Sequence, residues 1–458
     1  MATTDDVQHY DLIVIGAGSG NMLLGGELAH LRAAIIEPDR FGGTCLNRGC
    51  IPSKMLVVTA DAAHAVGQGH RLGVHATLDR VDWPAVRARI FDRIDPLHDS
   101  AVAYRREHGI DVYTDPARFV GPRVLQVGDQ HLSADRIVVA TGSRPVIPPI
   151  PGLDEVELFH TSDTIMRIDE IPSSLIVIGG GYIAAELGHV FGAFGAEVTI
   201  VQRGPRLLPA EDEALSTRFT ELAQRRFDVR LDTTVTAVAA RDKGVALTLE
   251  HGGHSEVLEG DALLVATGRR PNTDLLDVAA AGLPVDEHGH LVVDDAYQTA
   301  VPGVWACGDA ANHFQLKHMA NAEERVVAHN LAHPDQPRHL PHHLTPHAVF
   351  SDPQLASVGL TELQARKRGI HHVAVVHDYA ETAYGWALED TTSFVKLIAD
   401  PGARTLLGAH IIGPQAPILL QPLLQAMMLG QTIDQLAHDV LYIHPALTEV
   451  LEQALLKL

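Results

Sequence analysis

At 458 residues the chain is too long for one ordinary domain, and about two to four are expected. Its 46% apolar and 20% charged residues are those of a soluble globular protein, not of a disordered or fibrous one. A formal charge of −22 argues against a nucleic-acid or anionic-membrane partner, since either needs a basic face.

Only three cysteines are present, Cys45, Cys50 and Cys307. So few fits a reducing compartment, where a disulfide is more often catalytic than structural. The N-terminus, MATTDDVQHY, has no charged-then-apolar signal pattern, and no apolar run approaches the roughly 18 residues of a membrane span. A cytoplasmic protein with no membrane partner is expected. The 28 histidines include doublets at His342-His343 and His371-His372, but no H-E-x-x-H or Cys/His quartet. They read as solvated surface side chains, and no metal site is predicted.

The first element is an apolar strand, Tyr10 to Ile15, running into Gly16-Ala17-Gly18-Ser19-Gly20-Asn21 and a predicted helix. A second strand, Ala33 to Ile36, ends in Glu37, about twenty residues past the first glycine. Strand, glycine turn, helix, strand and terminal acid together form a dinucleotide-binding fingerprint. The glycines let the backbone approach a pyrophosphate, and the acid accepts ribose hydroxyls. The sixth position of the fingerprint is Asn21, not Gly or Ala, which loosens the expected packing of helix on strand.

Next comes GGTCLNRGCIPSK, Gly42 to Lys54. Two cysteines separated by four residues point apart in a regular helix. Gly49 and Pro52 suggest a distorted first turn that brings the Cα atoms within the roughly 4.4–6.8 Å a disulfide needs. An apolar helical run follows from Met55 to Ala65, so both sulfurs are placed near a helix N-terminus, which favours thiolate. From these residues alone, a redox disulfide and a structural pair remain equally open.

A long polar helix is predicted from Trp83 to His108, then a buried strand from Arg136 to Ala140 that ends in Thr141-Gly142-Ser143-Arg144-Pro145. After the Pro-rich stretch VIPPIPG, read as a linker, the pattern repeats. Leu175 to Ile178 runs into Gly179-Gly180-Gly181-Tyr182-Ile183-Ala184 and a helix carrying Glu186, and Ala262 to Thr267-Gly268-Arg269-Arg270-Pro271 echoes the earlier Ala-Thr-Gly turn. Two intact fingerprints imply two dinucleotides; one unit plus a decayed duplicate is the bland alternative. The second copy's second strand, Glu197 to Val201, ends in Gln202, where an NAD-selective site has an acid, and Arg203 and Arg206 follow. Without the acid a 2′-phosphate is not repelled, and the guanidinium groups can pair with it. NADPH is therefore expected.

The strand Val301 to Ala306 leads through Cys307, read as a small buried hydrophobe, to Gly308-Asp309. A strand-rich region begins near His339, and a helix from Ile418 to Leu429 follows. The chain closes with His444-Pro445-Ala446-Leu447-Thr448-Glu449 and a last helix.

GGTCLNRGCIPSK resembles the redox-active segment of the flavoprotein disulfide reductases, the family that includes glutathione, dihydrolipoamide and mycothione reducing enzymes, and the resemblance extends over nearly the whole chain. It implies an α/β fold with two Rossmann-like domains and a C-terminal α+β dimerisation domain. The boundaries expected are 1–150 for a FAD-binding domain, 151–272 for an NADPH-binding domain, 273–338 for completion of the FAD domain and 339–458 for the dimer interface.

The resemblance also implies cofactors, FAD and NADPH, and site residues. FAD falls to Gly16, Gly18, Ser19, Gly20, Glu37, Gly43, Thr44, Lys54, Thr141, Gly142 and Asp309. NADPH falls to Gly179, Gly181, Tyr182, Gln202, Arg203, Arg206 and Gly268. Tyr182 shields the nicotinamide pocket, Lys54 and Glu186 pair beside the flavin, and Cys50 is the sulfur nearer the flavin. Cys45 attacks a small-molecule disulfide, with His444, oriented by Glu449, as acid and base. Thiol pKa values at Cys45 and Cys50 are expected to be lowered. The family is a homodimer in which the histidine enters the partner's active site. LKHMAN (316–321), Gly18 to Asn21 and Thr44 to Asn47 are similar to the mycothione branch, and Gln202 points away from the lipoamide branch. Two other readings stay open: a dihydrolipoamide dehydrogenase subunit of a multienzyme complex, or a glutathione-disulfide reductase.

Overall fold

The computed structural model describes residues 7–157 and 159–458. Residues 1–6, most of the polar N-terminus discussed above, lie outside them. The chain divides into two compact units. The first comprises the stretch ending at Pro52 together with Ala85–Val146 and Gly268–Pro341. The second comprises Ser53–Pro84, Ile147–Thr267 and His342–Leu458.

The first unit is built on a seven-stranded sheet in the order Asp111–Tyr113, Ala33–Ile36, Val7–Ile15, Gln130–Val139, Val124–Val127, Ala117–Gly121, with Val304–Ala306 also paired to Gln130–Val139. The central pairs are parallel, Leu12 opposite Ala33 and Ile13 opposite Ile137. Alternate residues of a strand face opposite sides, and here both sides are covered. Ile13, Ile15, Ile137 and Val139 pack into one core with Phe119 and Leu125. Leu12, Val14 and Val138 pack into another with Leu23, Leu28 and Val327.

Two expectations need correction here. The glycine turn is not followed by an α-helix but by two 3-10 turns, Gly20–Leu23 and Gly26–Leu28. Gly25 is fully extended and Gly26 has φ +57°, a pair that no continuous helix accommodates. The helix predicted from Trp83 to His108 is two, Trp83–Ile94 and Pro96–Glu107. Pro96 has no N–H for an i−4 bond and takes the first helical position of the second.

The second unit contains three sheets. One is parallel, in the order Asp228–Arg230, Glu197–Val201, Ser174–Ile178, Ala262–Val265, Phe159–His160. An antiparallel meander, Thr234–Ala240, Val245–His251 and His254–Gly260, shares its core through Val245, Leu247 and Leu249. The third sheet is antiparallel, in the order His347–Val349, Leu355–Gly359, Thr405–Ile412, Phe394–Asp400, Val373–Asp378. Its core joins Val395, Leu397 and Ile411 to Leu419 and Leu423 of the helix Ala416–Leu429 and to Leu451 and Leu455 of the last helix. No helix among the described residues is long and apolar enough to cross a membrane.

Candidate active site

Cys45 lies in a six-residue helix, Gly43–Arg48, and Cys50 opens the long helix Cys50–Gln68. The two are separated by a break at Gly49, with φ −138° and ψ −120°, not by a distorted turn of one helix. A Cβ on Gly49 would sit 2.8 Å from the Thr44 carbonyl oxygen and 3.3 Å from Cys45 Cα. Glycine is what lets the chain double back here and bring the sulfurs together. The two sulfurs are in hydrogen-bond contact. That contact, and then burial, raise the Cys45 thiol far above its ordinary range, with Lys317 acting in the opposite direction. The expected lowering at Cys45 is therefore reversed in the isolated chain. A six-residue helix offers little dipole, and the neighbouring sulfur shares its proton.

Around the first glycine turn, Gly16 has φ +107°, and a Cβ there would lie 2.3 Å from the Ala140 carbonyl oxygen. Gly18 and Gly43 meet backbone to backbone, with a Cβ on Gly43 falling 2.9 Å from Gly18 Cα. Thr44 follows Gly43 in the same short helix. Glu37 is largely buried at the end of its strand and accepts the Ala17 N–H at 2.8 Å; burial raises its pKa. Asp309 is half-buried, its pKa is raised by desolvation, and it accepts the Ser143 hydroxyl at 2.6 Å. Beside Gly142, itself at φ +65°, the Thr141 hydroxyl is buried with no hydrogen-bond partner among the described residues.

Sequence reasoning assigned no role to several residues here. Arg105 donates to Asn21 Oδ1, to the Asn21 carbonyl and to the Leu24 carbonyl, at 2.6–2.8 Å, and so holds the turn that lacks a helix. Lys317 Nζ donates to Ser19 Oγ at 3.0 Å, which donates to Asn321 Oδ1 at 2.9 Å. LKHMAN contains both residues, but nothing in their spacing announces contact with a loop far away in sequence.

In the second unit, Gly179 repeats the geometry of Gly16, with φ +114° and a Cβ position 2.3 Å from the Ala266 carbonyl oxygen. The following helix, Tyr182–Ala193, starts after Gly181 with no side-chain cap, so its first N–H groups point at the turn. Tyr182 is its first residue and is 43% exposed. Gly268, which opens the last segment of the first unit, has φ +116° and so a left-handed backbone like that of Gly142. Gln202 folds over the turn, where a Cβ on Gly180 would strike its side chain at 2.9 Å, and donates to the Arg206 carbonyl at 3.3 Å. Arg206 is paired with Glu213 at 2.6 Å, and Arg203 is exposed.

Glu186 is buried in the same helix. Its Oε2 is 2.5 Å from Lys54 Nζ and its Oε1 accepts the Phe350 N–H at 2.9 Å, while Lys54 lies 4.7 Å over the Phe350 ring. Phe350 carries no sequence signal for this role. Near the C-terminus, His444 Nδ1 is 2.7 Å from Glu449 Oε1, and Glu449 Oε2 accepts the Ala446 N–H. The hydrogen bond to His444 holds the Glu449 carboxyl below its usual range, against a smaller effect of burial. The His444 side chain is 71% exposed. Cys307 is buried, as expected.

The family model described as pyridine nucleotide-disulphide oxidoreductase matches residues 10–325, and the model of that family's dimerisation domain matches residues 345–455. The chain belongs to this family. Among its members, the mycothione reductase of Mycobacterium tuberculosis is 46% identical, with 99% of this chain and 100% of the relative covered. A dihydrolipoyl dehydrogenase of Haloferax volcanii is 32% identical over 99% of this chain and 97% of its own. The HOCl-induced flavoprotein disulfide reductase RclA of Escherichia coli is structurally similar, with a TM-score of 0.86 at 28% identity, covering 97% of this chain and 99% of that one.

The protein is thus a disulfide oxidoreductase with FAD and NADPH as cofactors, and it carries the family's dimerisation domain. The residues present fit a flavin dinucleotide. Two glycine turns admit no Cβ, two half-buried carboxylates lie at the loops, and the Thr141 hydroxyl lacks a partner among the described residues.

Proposed function

We propose that the chain is an NADPH-dependent reductase of a low-molecular-weight disulfide and that its substrate is mycothione. The observation that carries this reading is full-length identity of 46% to a mycothione reductase, in a chain that has Gln202 where an NAD-selective site has an acid. A pseudodisaccharide disulfide asks mainly for hydrogen bonds to hydroxyls, whereas glutathione disulfide asks for basic side chains. Net charge and the small cysteine count favour the cytoplasm as its place of work.

Bound FAD supplies a hydride acceptor, which no side chain can be. Gly16, Gly18, Ser19, Gly20, Gly43 and Thr44 hold its pyrophosphate, Glu37 its ribose, and Thr141, Gly142 and Asp309 its remaining polar groups. Gly179, Gly181 and Gly268 hold the NADPH backbone, Tyr182 covers its nicotinamide pocket, and Gln202, Arg203 and Arg206 meet its 2′-phosphate. Glu186 fixes the Lys54 ammonium beside the flavin.

The Cys45 thiolate attacks one sulfur of the substrate, forming a mixed disulfide and releasing the first thiolate, which His444 protonates. Cys50 then attacks the Cys45 sulfur, which re-forms the Cys45–Cys50 disulfide and releases the second thiol. The Cys45 thiol must lose its proton before it can attack, and a base has to accept that proton. His444, oriented by Glu449, is suited to that task. We assign its attack position to the partner subunit of a homodimer. Leu441 is 98% exposed, as is nearby Ile443 in large part, and Ile418 and Leu429 are exposed on the helix Ala416–Leu429 of the dimerisation domain. An apolar surface of this kind is suited to pairing.

The test is kcat/KM for mycothione, oxidised glutathione and lipoamide at one NADPH concentration, in wild type and in Cys45→Ser. Mycothione should lead and Cys45→Ser should lose turnover of all three. If lipoamide or glutathione disulfide leads, the substrate assignment fails; if Cys45→Ser turns over normally, the relay fails.

A further inference from the structure

Away from the dithiol and the dinucleotide loops, one cluster in the first unit has the chemistry of a metal ligand set. His329 lies in the last turn of the helix Lys317–Ala332, and His333 is the residue that ends it. Residues four apart share a helix face, and the two ring centroids lie 4.7 Å apart with their planes tilted by 37°. Glu27, from the 3-10 turn Gly26–Leu28, reaches the same face with Oε2 at 3.1 Å from His333 Nε2. One ligating atom from each of the three lies within 4.8 Å of the other two.

Two neutral imidazoles four residues apart on a helix, with one carboxylate, make the donor set of open three-ligand zinc sites. His329 Nε2 donates to the Gln336 carbonyl at 3.0 Å, which leaves the lone pair on Nδ1. A backbone carbonyl on the far nitrogen is the usual device that fixes the tautomer of a ligating imidazole. Imidazole donors favour Zn²⁺, Ni²⁺, Co²⁺ and Cu²⁺ over the oxygen-seeking Ca²⁺ and Mg²⁺. Glu27 and His333 are exposed, so a cation can reach them from solvent.

We propose that Glu27, His329 and His333 bind one divalent transition-metal cation of the Zn²⁺ class, with water completing the coordination. The ion links two segments that matter to flavin binding. Glu27 belongs to the turn that follows the first glycine loop, held by two short 3-10 turns in place of a helix. The two histidines close a helix whose first turns place Lys317 and Asn321 on Ser19. A cross-link between its far end and that turn restrains the loop where two short 3-10 turns stand in for a helix.

The experiment uses the FAD-loaded enzyme with Cys45 and Cys50 oxidised, so that the thiols do not compete for metal. Zn²⁺ is titrated against a chromophoric chelator in wild type, His329→Ala, His333→Ala and Glu27→Gln, with flavin content checked in each. Wild type should bind one Zn²⁺ that each histidine variant loses or binds at least about tenfold more weakly. Zn²⁺ should raise the melting temperature of wild type and not that of His333→Ala. As a second measurement, Co²⁺ should give a visible ligand-field band in wild type that is absent in His333→Ala. Equal Zn²⁺ affinity and stoichiometry in wild type and both histidine variants, or no micromolar binding by wild type, overturns the assignment.

Discussion

Removing the ammonium from the Lys54–Glu186 pair isolates what that pair contributes. The Glu186 side chain is 7% exposed and Lys54 is 34% exposed, with 2.5 Å between Nζ and Oε2. Breaking a fully buried ion pair costs about 3–5 kcal/mol, because the remaining charge stays desolvated and unpaired. Water reaches Lys54 from one side, which reduces the figure for Lys54→Met to roughly 2–3 kcal/mol. For a unit of this size about 2 °C of melting temperature corresponds to each kcal/mol, so a fall of about 4–6 °C is expected. Glu186→Gln on that background should return most of it. The neutral amide is cheaper to bury, and its oxygen can still accept the Phe350 N–H that Glu186 Oε1 accepts at 2.9 Å. The assay is scanning fluorimetry of the FAD-loaded enzyme with flavin content measured alongside, since lost flavin would itself lower the midpoint. A double variant no more stable than Lys54→Met would refute the argument that an unpaired buried carboxylate is the source of the loss.

Four further outcomes are expected. His444→Ala should slow disulfide turnover by about 10²–10⁴ while leaving flavin reduction by NADPH nearly unchanged, and Glu449→Gln should have a smaller effect of the same kind; stopped-flow absorbance separates the two half-reactions. Arg203→Ala/Arg206→Ala should raise KM for NADPH far more than for NADH. Glu213→Gln, by releasing Arg206 from its 2.6 Å pairing, should lower KM for NADPH alone, and parallel steady-state kinetics with the two coenzymes checks both. Burial pushes Glu324 up to about 7 from an ordinary 4.5, and its Oε2 is buried without a partner among the described residues. The fold therefore favours its protonated form, a contribution fully present below about pH 4.5 and lost as pH rises through about 7. Glu324→Gln should flatten the decline in unfolding free energy over that window by on the order of 3 kcal/mol at most, and an unchanged pH profile would count against it.

Much of this protein is written locally. The strands at Val7–Ile15, Gln130–Val139, Ser174–Ile178 and Ala262–Val265 announce themselves as short apolar runs ending in glycine turns. The residue types demanded by those turns follow from backbone sterics that act within a few residues. The dithiol segment is legible for the same reason, since Gly49 must let the chain close on Thr44 and Cys45. Where local signals conflict, reading along the chain fails: Gly25-Gly26 dissolves an expected helix into 3-10 turns, and Pro96 divides another.

Tertiary structure alone decides which distant side chains meet. Arg105 reaches back to Asn21, Lys317 to Ser19, Phe350 supplies an N–H to Glu186, and Glu27 joins His329 and His333. None of these pairs has a spacing to read. Tertiary structure also sets the direction in which Cys45 titrates. A helix N-terminus in the sequence argues for a lowered thiol pKa, but only the placed sulfur of Cys50 and the burial around it determine that the isolated chain raises it. Backbone conformation is governed by neighbours in the chain, whereas protonation and contact are governed by neighbours in space.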